Sequence, residues 1–154
     1  MVQAWLHKLK FHHGSIEARV LGELLAGAVR DSYQGQALPE VIVPVPLSLR
    51  RLARRGHNQA LTIATTTARR LGLPVLRLAV RRTRHTPPQT ARGHEARQSN
   101  VAQAFKSKAW CGSRVAVVDD VMTTGATATE IAATILDAGA TAVHVWVCLL
   151  YTSD

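Results

Sequence analysis

The residues best suited to chemistry lie together in the second half of the chain. An apolar run, Val115-Ala116-Val117-Val118, ends on two adjacent acids, Asp119 and Asp120, and Val121-Met122-Thr123-Thr124-Gly125-Ala126-Thr127 follows at once. Ligands of open α/β sheets bind beyond the carboxyl ends of the strands, where such a run would deliver its acids. Gly125 allows a tight turn and close approach of the backbone to a ligand. Thr123, Thr124 and Thr127 supply hydroxyl donors, and the free N–H groups at the start of a following helix favour an anion at the same place. Carboxylates just upstream accept hydrogen bonds from a diol such as the 2′ and 3′ hydroxyls of a ribose. An ordinary strand–turn–helix with a capping threonine would share this outline. It would not explain two neighbouring acids at the end of an all-apolar strand, where mutual repulsion and desolvation make both costly without a partner. The turn is neither a Walker loop, since no Gly-Lys-Ser/Thr follows, nor a Gly-x-Gly-x-x-Gly dinucleotide turn.

The elements that must position this constellation are legible as alternating strands and helices. Arg114–Asp119 reads as a strand, Ala126–Ala138 as a helix with Ala128, Ile131, Ala132, Ile135 and Leu136 on one face, and Ala142–Leu150 as a last strand apolar on both faces. Upstream, Ile16–Tyr33 shows helical spacing through Val20, Leu21, Leu24, Leu25, Ala28 and Val29, with Ser15 as its cap. Val41–Val45 is a β-branched strand in which Pro44 must stand at an end or an edge. Asn58–Leu71 is a helix with Leu61, Ala64, Ala68 and Leu71 on one face, closed by Gly72 and Pro74. Val75–Val80 is a further strand. Arg81–Ser99, basic and almost without apolar residues, is expected to be a long mobile surface loop. Strands buried on both faces and alternating with helices predict an α/β domain with a mainly parallel central sheet, one domain over residues 1–154.

Composition narrows the function classes. A chain of 154 residues with 47% hydrophobic content suffices for one domain with a core. No apolar run is long enough for membrane insertion, and Met1–Lys10 is not a signal-peptide core, so a cytoplasmic location is expected. Cys111 and Cys148 form no Cys-x-x-Cys pair and read as buried or half-buried thiols; no histidine stands at metal-ligand spacing with a cysteine. Trp5, Trp110 and Trp146 are too scattered for a stacking platform and read as core residues. The net charge is +9, with Arg50, Arg51, Arg54 and Arg55 in one cluster and Arg77, Arg81, Arg82, Arg84, Arg92 and Arg97 in another. Such clusters attract polyanions, whether nucleic acid or a multiply phosphorylated small molecule, although a solvated basic face would look the same.

Val115–Thr127 as a whole resembles the thirteen-residue phosphoribosyl-diphosphate (PRPP) motif of type I phosphoribosyltransferases. Val43-Pro-Val-Pro-Leu47, Arg50-Arg51 and Arg55-Gly-His-Asn-Gln59 resemble the competence protein ComF family, as do Arg82-x-Arg84-x-Thr86-x-x-Gln89, Arg97-x-x-Asn100 and Ala104-Phe105. The resemblance runs from about Leu9 to Leu150. It implies a type I phosphoribosyltransferase-like fold with a small N-terminal hood, without the cysteine-rich zinc-binding segment with which members of the family usually begin. It assigns Asp119 and Asp120 to the ribose hydroxyls and Thr123, Thr124, Gly125, Ala126 and Thr127 to the 5′-phosphate. Pro46, Leu47, Ser48 and Arg50 fall on the pyrophosphate side. The long loop becomes a lid carrying Thr86, Gln89, Arg97 and Asn100, with Arg82 and Arg84 as candidates to neutralise the leaving pyrophosphate. Mg²⁺ is the implied cofactor, held through substrate oxygens and by Asp119 and Asp120, not by a protein cage. The implied functions are phosphoribosyl transfer from PRPP to a nitrogen nucleophile, PRPP or nucleotide sensing without catalysis, or association with single-stranded DNA and the competence machinery in DNA uptake. A homodimer is compatible with each.

Overall fold

The computed structural model describes residues 15–47, 52–53, 56–83 and 104–150. The N-terminal hood, Trp5, Ser48, Arg50, Arg84, Thr86, Gln89, Arg97 and Asn100 lie outside the described residues. In chain order the elements are helix α1 (Ser15–Ser32), strand β1 (Val41–Pro44), helix α2 (Gln59–Leu71), strands β2 (Val80–Arg82), β3 (Phe105–Ser107) and β4 (Arg114–Met122), helix α3 (Ala126–Asp137) and strand β5 (Ala142–Leu150). The α/β class with a parallel sheet expected from the sequence is the one observed. Strands β1, β4 and β5 form it in the order β1-β4-β5, with Val41 beside Val115 and Val115 beside Val143. Pro44 closes β1, where its missing N–H costs no ladder bond.

The pleat divides the core in two. Val41, Val43, Val115 and Val117 face α3 and the β2–β3 ribbon, packing on Ile131, Ile135, Val80, Phe105 and Trp110. Ile42, Ala116 and Val118 face α1 and α2, meeting Ile63, Ala64, Ala68 and Trp146. Residues buried on both faces explain the continuous apolar runs of the central strands.

Three expectations are corrected. Val75–Val80 is not one strand. Val75 makes only an isolated parallel bridge with Ile42, fixed by Ile42 N–H to Pro74 O and Leu76 N–H to Ile42 O, both 2.9 Å; the chain then turns and starts β2 at Val80. The expected face of α1 is also displaced: Ile16, Val20 and Leu24 are exposed, and Ala18, Gly22, Ala26 and Val29 are buried. Helix α1 packs so closely on α2 that a Cβ on Gly22 would stand 2.6 Å from Thr66 Cβ, so small residues occupy the contact, and the Thr67 hydroxyl donates to Gly22 O at 3.1 Å. Strand β5 is buried on neither face throughout. It pairs only with β4 among the described residues, and Trp146 alone of its nine residues is fully buried.

Candidate functional site

Strand β4 runs three residues beyond the expected Arg114–Asp119, so Asp119 and Asp120 are strand residues near its carboxyl end. Asp119 pairs with Val147 and Val121 with Leu149, which sets Cys148 beside Asp120. Both acids are half-buried, and each accepts a hydrogen bond from the next backbone amide: Asp120 N–H to Asp119 Oδ1 and Val121 N–H to Asp120 Oδ1, both 2.9 Å. Neither forms an ion pair among the described residues. Burial, then the negative charge and hydrogen bonding of the Asp120 side chain, raise the Asp119 carboxyl from 3.8 to about 7, against the opposing pull of the Asp120 N–H. The Asp pair therefore takes up or releases a proton near neutrality.

Cys148 is a member of this neighbourhood that motif reading misses. Burial first, then Asp120 and Asp119, push its thiol up to about 12, which keeps it a neutral wall behind the acids. The signal available in the sequence was register alone, since Cys148 stands as far into β5 as Asp120 stands into β4. Cys111 is exposed, contrary to the expectation of two buried thiols, because it sits in a turn before β4.

The turn after β4 leaves its helix open. Gly125 occupies the N-cap of α3 in the left-handed region at φ 78°, with no side-chain cap. Thr124 Oγ1 accepts only a long 3.4 Å bond from Ala126 N–H, and the amides of Thr127 and Ala128 find no acceptor among the described residues. Thr123 and Thr124 are exposed, while Gly125, Ala126 and Thr127 are half-buried. Open amides, hydroxyls and the positive end of a helix dipole thus stand next in sequence to the two acids.

The exit of β1 reaches the same edge of the sheet. Val45 N–H donates to Val118 O at 2.9 Å, and Asn58 Nδ2, at the N-cap of α2, donates to Val45 O at 3.1 Å. Pro46 and Leu47, half-buried, follow directly, so the structure brings the start of the expected pyrophosphate segment to the row ending in Val118 and Asp119. Arg82 stands in β2, with its guanidinium 5.3 Å from the centre of the Phe105 ring. Among the described residues no group of three His, Cys, Asp or Glu side chains could hold a metal unaided.

No protein-family model matches the chain. Curated relatives do. Competence protein F of Haemophilus influenzae is 37% identical over 147 residues, 92% of this chain and 64% of that protein. The DNA utilization protein YhgH of Escherichia coli is 40% identical over 150 residues, 96% of this chain and 66% of that protein. The chain thus spans just under two thirds of the length of these relatives. Among solved structures, a glutamine PRPP amidotransferase from B. subtilis, complexed with ADP and GMP, superposes with a TM-score of 0.56 at 23% identity, covering 85% of this chain and 26% of that one. A purine phosphoribosyltransferase from Pyrococcus horikoshii superposes with a TM-score of 0.51 at 17% identity, covering 85% of this chain and 70% of that one. At these identities the likeness is one of fold. Matched along nearly its whole length, the chain is a homologue of competence protein F and of the DNA utilization protein YhgH, a phosphoribosyltransferase-like domain with the type I fold.

Proposed function

We propose that the edge formed by Asp119, Asp120 and Val121–Thr127 binds PRPP with Mg²⁺ and that the domain transfers the phosphoribosyl group to a nitrogen nucleophile, releasing pyrophosphate. The observation that carries this reading is the adjacency of two unpaired, half-buried acids to an uncapped helix N-terminus whose turn is held in the left-handed region by Gly125. The acids accept the ribose hydroxyls, and the open amides and threonine hydroxyls of the turn take the 5′-phosphate. The donor set suits Mg²⁺, because Asp119 and Asp120 offer hard oxygens, and substrate and water would complete the shell. When bound, Mg²⁺ supplies charge neutralisation for the diphosphate. As the bond from ribose C1 to the leaving oxygen lengthens, positive charge grows on the ring, and carboxylates fixed beside it stabilise that charge without reorganising. The Asp119 proton must leave for both acids to be ionised, so binding strengthens as pH rises through about 7.

The test is thermal denaturation with PRPP and Mg²⁺. At a hundredfold excess over Kd the gain is about 2.7 kcal/mol, or roughly 5–11 °C for a domain of this size. The paired substitution Asp119→Asn with Asp120→Asn removes the shift. No shift at saturating ligand rejects the reading. Pyrophosphate release with a panel of nitrogen bases then tests transfer, and a shift without release reduces the function to ligand sensing.

A further inference from the structure

The sheet stops abruptly at β5. Among the described residues this strand pairs only with β4, so its outer edge has no strand beside it. Natural sheets guard a free edge with short strands, charged side chains or proline. β5 has none of these: it runs for nine residues, and Ala142–Leu150 holds no Lys, Arg, Asp, Glu or Pro.

Apolar surface flanks the edge on both sides of the sheet. His144 and Trp146 face α1, where Leu25, Ala28 and Val29 form an open groove with the strand. Val145 faces α3, where Met122, Ala132 and Leu136 form a second groove. No Asp, Glu, Lys or Arg lines either one, in a chain whose net charge is +9. Val145 is 38% exposed, Leu136 44% and Leu24 65%. Leu24 stands two residues, about 200° of helix, beyond Gly22, which rests on α2, and so it points away from α2. The two helices thus overhang a place where the sheet lacks a strand. A strand laid along β5 would set alternate side chains into the two grooves and be buried on both faces, as β1 and β4 are.

Size, charge and symmetry decide which strand fits. A nine-residue strand is about 30 Å long, and a helix, sheet and helix stacked at its edge are about 30 Å deep. Such a face offers each copy about the 800 Å² that a stable interface buries per partner. Two basic copies can meet there because the grooves carry no charge, as the core of an interface requires. A two-fold axis at the edge sets one β5 antiparallel to the other and brings each groove against its own counterpart.

We propose that a second copy of this chain docks on the β5 edge, β5 against β5, giving one continuous sheet in the order β1-β4-β5-β5-β4-β1. Val145 lies near the axis, and Leu24 and Leu136 pack across it on opposite faces of the sheet. Met122 and Gly125 also line the α3 groove, so the second copy stands beside the Val121–Thr127 turn. The inference does not depend on what that turn binds.

Sedimentation equilibrium of the full chain over a range of protomer concentrations measures the mass, and hydrogen exchange at both ends of that range reads the β5 amides. The expected result is a species of twice the 16.7 kDa chain mass, with added protection along β5 only where that species forms. Leu24→Lys and Leu136→Glu each raise the dimer dissociation constant at least about tenfold, because an unpaired charge enters the contact. Both positions are exposed on helices and both new residues favour helix, so the circular dichroism of the dilute variants stays that of the wild type. Val145→Lys, with two lysines near the axis, acts in the same direction. Three results overturn the proposal: a monomer at every concentration, a dimer indifferent to both helix substitutions, or a dimer weakened by only one of them, which would confine the contact to one face. A monomer whose β5 amides are protected at every concentration would assign the edge to residues 1–14 of the same chain, and a monomer with open β5 amides would leave it to a different protein.

Discussion

Asparagine at position 119 keeps the shape of the aspartate and removes its charge. In the folded protein the Asp119 carboxyl is held at about 7, while its ordinary value is 3.8. Between those values the folded state retains a proton that the unfolded chain has released, so stability falls as pH rises, by at most about 1.4 kcal/mol per pH unit. Over the whole interval the ceiling is on the order of 4 kcal/mol. Solvent at the half-buried carboxyl screens part of it, leaving about 2–4 kcal/mol. Asp119→Asn removes this cost and can still accept the Asp120 N–H now bound at 2.9 Å. Urea unfolding followed by circular dichroism should therefore show a variant more stable than the wild type by about 2–4 kcal/mol at pH 8 and by less than about 1 kcal/mol near pH 4. The same variant should bind PRPP weakly. A gain equal at both pH values, or a loss at pH 8, would refute the argument that burial and Asp120 hold this proton in place.

Other expectations follow from the same geometry. Gly125→Ala should cost about 1–2 kcal/mol from the left-handed backbone alone, since its Cβ would meet Met122 Sδ at an ordinary 3.7 Å; calorimetry against PRPP should show the affinity falling with it. Gly139→Ala combines φ 103° with a collision against the Trp110 carbonyl, and thermal denaturation should register a loss of about 2–4 kcal/mol. Iodoacetamide followed by mass mapping should label exposed Cys111 and spare Cys148, whose thiol is pushed up to about 12; equal labelling would contradict the packing of β5.

What the sequence disclosed and what it hid have separate physical causes. Val41–Val45 and Val115–Val118 were readable because a central parallel strand buries both faces, which leaves an unbroken apolar run. Gly72 as a helix end and Gly125 as a tight turn were readable because only glycine takes a left-handed backbone without strain, and their φ values are 71° and 78°. The buried face of α1 was hidden, because hydrophobic periodicity weights Val20 and Leu24 while the close contact with α2 selects Ala18, Gly22 and Ala26. The ribbon was hidden for a similar reason. Phe105-Lys106-Ser107 has one apolar residue, and its place is set by pairing with β2, which no local pattern announces. Of the site, the acids and the threonine turn were legible from order along the chain. Cys148 and the Asn58 clasp on Val45 were not, because they arrive through register and tertiary contact.

The most direct measurement of the central claim is isothermal titration calorimetry of PRPP with Mg²⁺, run on the wild-type protein and on the variant carrying asparagine at both 119 and 120. Saturable binding at one site by the wild type, strengthening from pH 6 to pH 8 and absent from the variant, is the predicted result. Heat that is unchanged by the double substitution, or no binding by the wild type at pH 8, would contradict it.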